Sequence, residues 1–119
     1  MVTLILCGLV AILHVYFLVV EMFLFTTPKG MKIFGTTPEK AEIMRVLAAN
    51  QGLYNGFLAA GVVWGVAHPN PEMKFQLLLF FLGCVTVAGI YGGFTASRRI
   101  MYIQAGPALL AIIALVLGL

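Results

Sequence analysis

The sequence predicts an all-α membrane protein: an antiparallel bundle of four transmembrane helices with both termini on the outer side. Three observations carry this. First, 62% of the 119 residues are hydrophobic and only 9% are charged, with a mean hydropathy of +1.08. A soluble domain of this size carries far more polar surface. Second, the apolar runs come in lengths near the ~20 residues that a helix needs to cross a bilayer. Third, the basic residues gather in alternate connections, as they do in multi-pass proteins. Four crossings and their connections use the whole chain, so residues 1–119 read as one transmembrane domain with no separate soluble part.

The first span is predicted over residues 2–25, interrupted by His14 and Glu21. It lacks a basic leader, is too apolar for too long, and meets no small-residue cleavage site, so it reads as a retained span rather than a signal peptide. A cytoplasmic loop follows at 26–45, in which Pro28, Gly30, Gly35 and Pro38 are turn and breaker signals. Thr37-Pro38-Glu39 marks a helix start, with a capping hydroxyl, a proline in the first turn and an acid at the positive end of the helix. That helix enters the hydrocarbon near Val46 and crosses it over 46–67. His68-Pro69-Asn70-Pro71 cannot continue a helix. The third span is predicted over 75–96 and, after the tight Ser97-Arg98-Arg99 connection, the fourth over 100–119.

Lys29, Lys32, Lys40, Arg45, Arg98 and Arg99 fall in or beside the first and third connections, and only Lys74 falls in the second. Six of the seven basic residues thus lie on one face, which the positive-inside rule assigns to the cytoplasm. This places the chain in the cell membrane, with the long loop and the Arg98-Arg99 turn cytoplasmic. The net charge of +3 reports topology, and nucleic acid is not an expected partner. Cys7 and Cys84 lie at depths differing by about 9 Å at 1.5 Å per residue, too far apart for an unstrained disulfide.

Gly52, Gly56 and Ala60 recur at every fourth position of the second helix, backed by Gly61 and Gly65, and the third span adds Gly89, Gly92 and Gly93. Such rows let helix backbones approach closely, and on this ground a homo-oligomer is expected.

Ionisable side chains within a span are costly and generally face the protein interior. Here they share a depth. Glu21 lies about four residues in from the cytoplasmic face; Asn50 and Gln51 lie as deep, with Asn55 one turn further. Tyr91, Tyr102 and Gln104 occupy the same half of the last two spans, and Arg98 and Arg99 stand at the mouth. His14, seven residues before Glu21, shares its helix face near mid-bilayer. Together these residues predict a polar cavity open to the cytoplasm. Glu21 and His14 are its candidate proton donor and acceptor, and Asn50, Gln51, Asn55, Tyr91, Arg98, Arg99, Tyr102 and Gln104 are its candidate ligand contacts. The structural alternative pairs Glu21 with an arginine or hydrogen-bonds it to Asn50, since buried polar groups need partners in any case. No metal site is expected, because His14 and His68 have no ligand partners at useful spacing. The sequence names no cofactor.

His14 followed by Glu21, then Phe25-Thr26-Thr27-Pro28, Phe34-Gly35, the stretch Ala49-Asn50-Gln51-Gly52-Leu53-Tyr54-Asn55-Gly56-Phe57-Leu58, Ser97-Arg98-Arg99 and Gln104-Ala105-Gly106-Pro107-Ala108 resemble the small bacterial and fungal membrane proteins of domain-of-unknown-function family 1304. The resemblance covers nearly the whole chain and implies four helices but no activity; Phe25 stands where that family leads one to expect Trp. A fainter likeness is to the membrane-associated eicosanoid and glutathione enzymes, to which Arg45, Asn50, Arg99, Tyr102 and Pro107 look similar in kind. The acid that follows the Asn in those enzymes is missing here, where position 53 is Leu.

The functions in contention are a site that binds or transforms a lipophilic molecule with a polar or anionic head group, a proton-coupled exporter using Glu21, and a structural or assembly subunit with no ligand site. The sequence does not decide whether the protein is an enzyme.

Overall fold

A computed structural model of the chain describes residues 1–119, and every regular element in it is helical. Five helices follow one another: α1 (Val2–Phe23), α2 (Pro28–Phe34), α3 (Pro38–Ala67), α4 (Pro71–Thr95) and α5 (Arg98–Leu117). Helices α1, α4 and α5 are long and apolar enough to cross a membrane; the 22 residues of α1 span about 33 Å at 1.5 Å per residue. In α3, Asn50, Gln51 and Asn55 interrupt the apolar stretch and lower its hydropathy. Large apolar side chains such as Ile12, Phe80, Phe94 and Val116 are exposed along the helices. Water tolerates contiguous apolar surface of this kind poorly, whereas hydrocarbon accommodates it.

The helix boundaries have local causes. Leu24 ends α1, and its carbonyl accepts from both the N–H (3.0 Å) and the hydroxyl (2.6 Å) of Thr27. The Thr27 hydroxyl oxygen in turn accepts from Gly30 N–H at 3.2 Å, so Thr27 caps α2 with Pro28 in its first turn. Gly35 closes α2 in the left-handed conformation, φ 62°. The predicted loop at 26–45 therefore holds a helix. Pro28, read as a breaker, is a starter, by the same device that opens α3 at Thr37-Pro38. Asn70 repeats it for α4, its side-chain oxygen accepting from Glu72 N–H and Met73 N–H.

The chain packs as two compact units, Met1–Leu13 with Leu58–Leu119, and His14–Phe57. In the first, Cys7, Val10 and Ala11 of α1, Val62 of α3, Leu78, Leu82 and Val85 of α4, and Ala108 and Ala111 of α5 form one buried core. Glycines set its spacing. A Cβ on Gly61 would overlap the Phe81 ring at 2.3 Å, and one on Gly65 would meet Leu78 at 2.7 Å. One on Gly89 would lie 2.6 Å from the backbone nitrogen of Ala105. There, over Met101–Ala105, α5 widens to a π-helical turn, closed by Gly106 N–H on the carbonyl of Met101. The cause is Pro107. It has no N–H to give to the preceding turn, and in an unbroken α-helix its ring would strike the carbonyl of residue 103.

In the second unit, Phe25 is buried with Ala41 and Ala48 and covered by Met31, with the Phe34 ring 5.2 Å from that of Phe25. Here α1 and α3 meet across Gly52 and Gly56. A Cβ at the first would lie 2.8 Å from Met22 and 3.0 Å from Glu21, and one at the second 2.5 Å from Leu18.

Gly89→Ala is expected to destabilise the protein by about 1–3 kcal/mol, because the obstacle is backbone that cannot turn aside. Gly83→Ala, with open space around it, should be neutral or slightly stabilising. Thermal unfolding of both variants in the same detergent checks the contrast.

Candidate functional site

Around the 52/56 glycine contact, residues 48, 52, 55 and 59 of α3 recur at three- and four-residue intervals and so share one face, on which Ala48, Gly52 and Ala59 are buried and Asn55 half-buried. The close approach of α1 brings Glu21 against that face. The Asn55 side-chain amide donates to Glu21 Oε1 at 2.6 Å. Glu21 is only 6% exposed, so this is a buried carboxylate held by a neutral amide. Its second oxygen takes no bond from the protein. Since no buried side-chain nitrogen or oxygen lacks a partner, that oxygen keeps a patch of open surface. The partner the sequence offered on α3, Asn50, is exposed, as is Gln51. The register set by the glycines turns position 55, not 50 or 51, toward α1.

His14, two turns before Glu21 on α1, is buried at 1% exposure, with its ring edge-on to Phe17 at a centroid distance of 5.5 Å. The other predicted contacts belong to the first unit. Arg98 and Arg99 are exposed at the start of α5, where the Ser97 hydroxyl accepts from Arg99 N–H at 3.2 Å. Tyr102 (68% exposed) and Gln104 (half-buried) lie on the π-helical turn. Tyr91, 70% exposed, ends an open apolar groove along α4 that also includes Phe80, Gly83, Cys84 and Ala88. Arg45, part of the faint enzyme likeness, is ion-paired with Glu42 one turn back on α3 at 3.2 Å. Cys7 and Cys84 are both free thiols, and no cluster of three metal-ligating side chains exists. Of the predicted set, the structure joins Glu21 to Asn55. The contribution of Gly52, which touches Glu21 directly, was visible in the sequence only as part of a packing row.

The class so defined is an all-helical protein with three membrane-length apolar helices and one carboxylate–amide pair between α1 and α3. The chain belongs to the family described as "Protein of unknown function (DUF1304)", whose pattern matches residues 8–116. It is 28% identical over 114 residues, 94% of each chain, to a protein of Lactococcus lactis subsp. lactis (strain IL1403) described as "Uncharacterized protein YpaA". No solved structure matches the chain.

Removing the amide isolates a buried charge-bearing group, which costs about 1–3 kcal/mol. Asn55→Ala is therefore expected to destabilise by that amount, and Glu21→Gln by less, since glutamine still accepts from Asn55. Denaturation of the two single variants and the double variant should give a coupling energy well above zero. Additive losses would mean that the pair is not energetically linked.

Proposed function

We propose that the chain is a four-span membrane protein, N-out and C-out, whose Glu21–Asn55 pair receives the polar end of a lipophilic small molecule, with Glu21 as the group that gives or takes a proton. The observation that carries this reading is Glu21 itself, a 6% exposed carboxyl group among apolar helices with one oxygen bonded to Asn55 and the other open to a guest. An ionisable residue within a span is by default a candidate for function. His14 on the same helix face extends the polar path toward mid-membrane. Asn50, Gln51, Tyr91, Arg98, Arg99, Tyr102 and Gln104 remain proposed as contacts for a larger or anionic head group. In this topology α3 is the remaining span, and it tolerates its lower hydropathy because Asn55 is matched to Glu21.

A second reading, a proton-coupled exporter, is favoured by the same carboxylate, because a neutral partner leaves Glu21 able to exist in either protonation state. The chain purified from its native membrane should carry a lipophilic compound, detected by mass spectrometry, whose retention falls at least about tenfold in Glu21→Gln and Asn55→Ala; a tenfold change corresponds to about 1.4 kcal/mol. Undiminished retention in both variants would remove the site. Proton uptake by proteoliposomes driven by tetraphenylphosphonium, and lost in Glu21→Gln, would select the exporter reading.

The topology has its own test. A cysteine at Lys32 should be shielded from impermeant maleimide added to intact cells, while one at Asn70 should react. The reverse pattern overturns the orientation.

A further inference from the structure

Within the first unit, the two chain ends and the α3–α4 turn meet. Met1 N donates to the carbonyl of Leu119 at 2.9 Å, and both residues border a cleft of about 240 Å³ that Val66 and Lys74 also line. The walls are apolar: Leu4 and the fully buried Cys7 from α1, Leu78 from α4 and Leu115 from α5. Polarity at the rim comes from the side chains of Thr3 and Lys74 and from the Met1 ammonium, which is already bonded to Leu119. Lys74 sits in the first turn of α4, its backbone N–H bonded to the Asn70 carbonyl at 2.9 Å, and its ammonium forms no ion pair with any acid of the chain.

An apolar slot at the ends of membrane-length helices, with one unmatched ammonium at its mouth, matches an amphiphile in shape and polarity. A water-soluble anion would gain nothing from walls of leucine and cysteine, and a neutral chain would leave Lys74 unused. A lipid of the surrounding leaflet brings both parts together at high local concentration, and Lys stems commonly extend along apolar surface to reach head groups. We propose that this cleft is a binding site for an anionic glycerophospholipid, one acyl chain lying against Leu4, Cys7, Leu78 and Leu115 and the phosphate against Lys74. The site is separate from the Glu21–Asn55 pair, which belongs to the other unit, and shares with it only the premise that the helices lie in a membrane.

One Lys near an anionic head group is worth about a fivefold preference. Full-length protein in mild detergent, titrated with equal amounts of phosphatidylglycerol and phosphatidylcholine of matched chains, should show by native mass spectrometry about fivefold more single-lipid adduct with phosphatidylglycerol. Lys74→Gln should bring that ratio close to one, and Lys74→Arg should keep it. Because the Lys74 ammonium holds no other side chain, neither variant removes a structural contact, and circular dichroism of each checks the fold. Equal binding of the two lipids by the wild type, or a preference that survives in Lys74→Gln, overturns the proposal. So does displacement of phosphatidylglycerol by equimolar oleate, which would assign the cleft to free fatty acid instead.

Discussion

Helices covered in leucine, valine and phenylalanine gain little by hiding those side chains from lipid, so their mutual order has to come from surfaces that fit. In this chain the fit is supplied by glycine. At Gly52, Gly56, Gly61, Gly65, Gly89, Gly92 and Gly93 a Cβ would come within 3.0 Å of a neighbouring helix, so each position fixes how far and in what register two helices approach. Once Gly52 lies against Glu21 and Gly56 against Leu18, the rotation of α3 about its axis is set. Asn55 then faces α1, and Asn50 and Gln51 do not. The chemistry of the pair is therefore a consequence of backbone proximity several residues long, and a single added methyl group at Gly52 acts on Glu21 itself.

The pairing of a carboxylate with an amide has a consequence that an ion pair would not. An arginine beside Glu21 would hold it charged, and removing either partner would leave a buried charge without compensation. Asn55 donates one hydrogen bond to Oε1 and imposes no charge of its own. It orients the carboxyl group without adding a charge beside it. The bond also explains how a polar residue on α3 coexists with an apolar surrounding. The same logic separates Glu21 from Arg45, whose partner Glu42 lies one turn away on an exposed helix surface. Such exposed pairs contribute little.

Much of this was legible in the sequence because it rests on local rules. Thr37-Pro38 and Asn70-Pro71 announce helix starts, and α3 and α4 begin at those prolines. Thr27-Pro28 carries the same signature and Gly35 the matching stop, but the segment is short and its glycines and lysines are equally at home in a loop, so α2 emerges only in the structure. The depth clustering of Glu21, Asn50, Gln51 and Asn55 was visible by counting along spans. Depth says nothing of azimuth, however, and only the glycine register decides which amide meets Glu21. The π-helical turn at Met101–Ala105 had its signal in Pro107, seven residues inside a span that begins at Ile100. A proline at that position lacks the N–H an unbroken helix would need. The Lys74 cleft had no sequence signal, because Cys7, Lys74 and Leu115 are brought together only by tertiary packing.

The glycine contacts also bear on self-association. Rows of small residues suggest oligomers when their partner helix is unknown, but here each close approach is to another helix of the same chain: α1 for Gly52 and Gly56, α4 for Gly61 and Gly65, α5 for Gly89, Gly92 and Gly93. Surfaces already filled cannot also join two copies without unfolding the first contact. Small residues not used in these contacts include Gly83, Cys84 and Ala88 of α4, in the groove between Phe80 and Tyr91. A second copy seated there would cover Tyr91 while leaving the Gly52 contact and the Glu21–Asn55 bond as they are. The glycine contacts and the Glu21–Asn55 bond are thus accounted for within one chain.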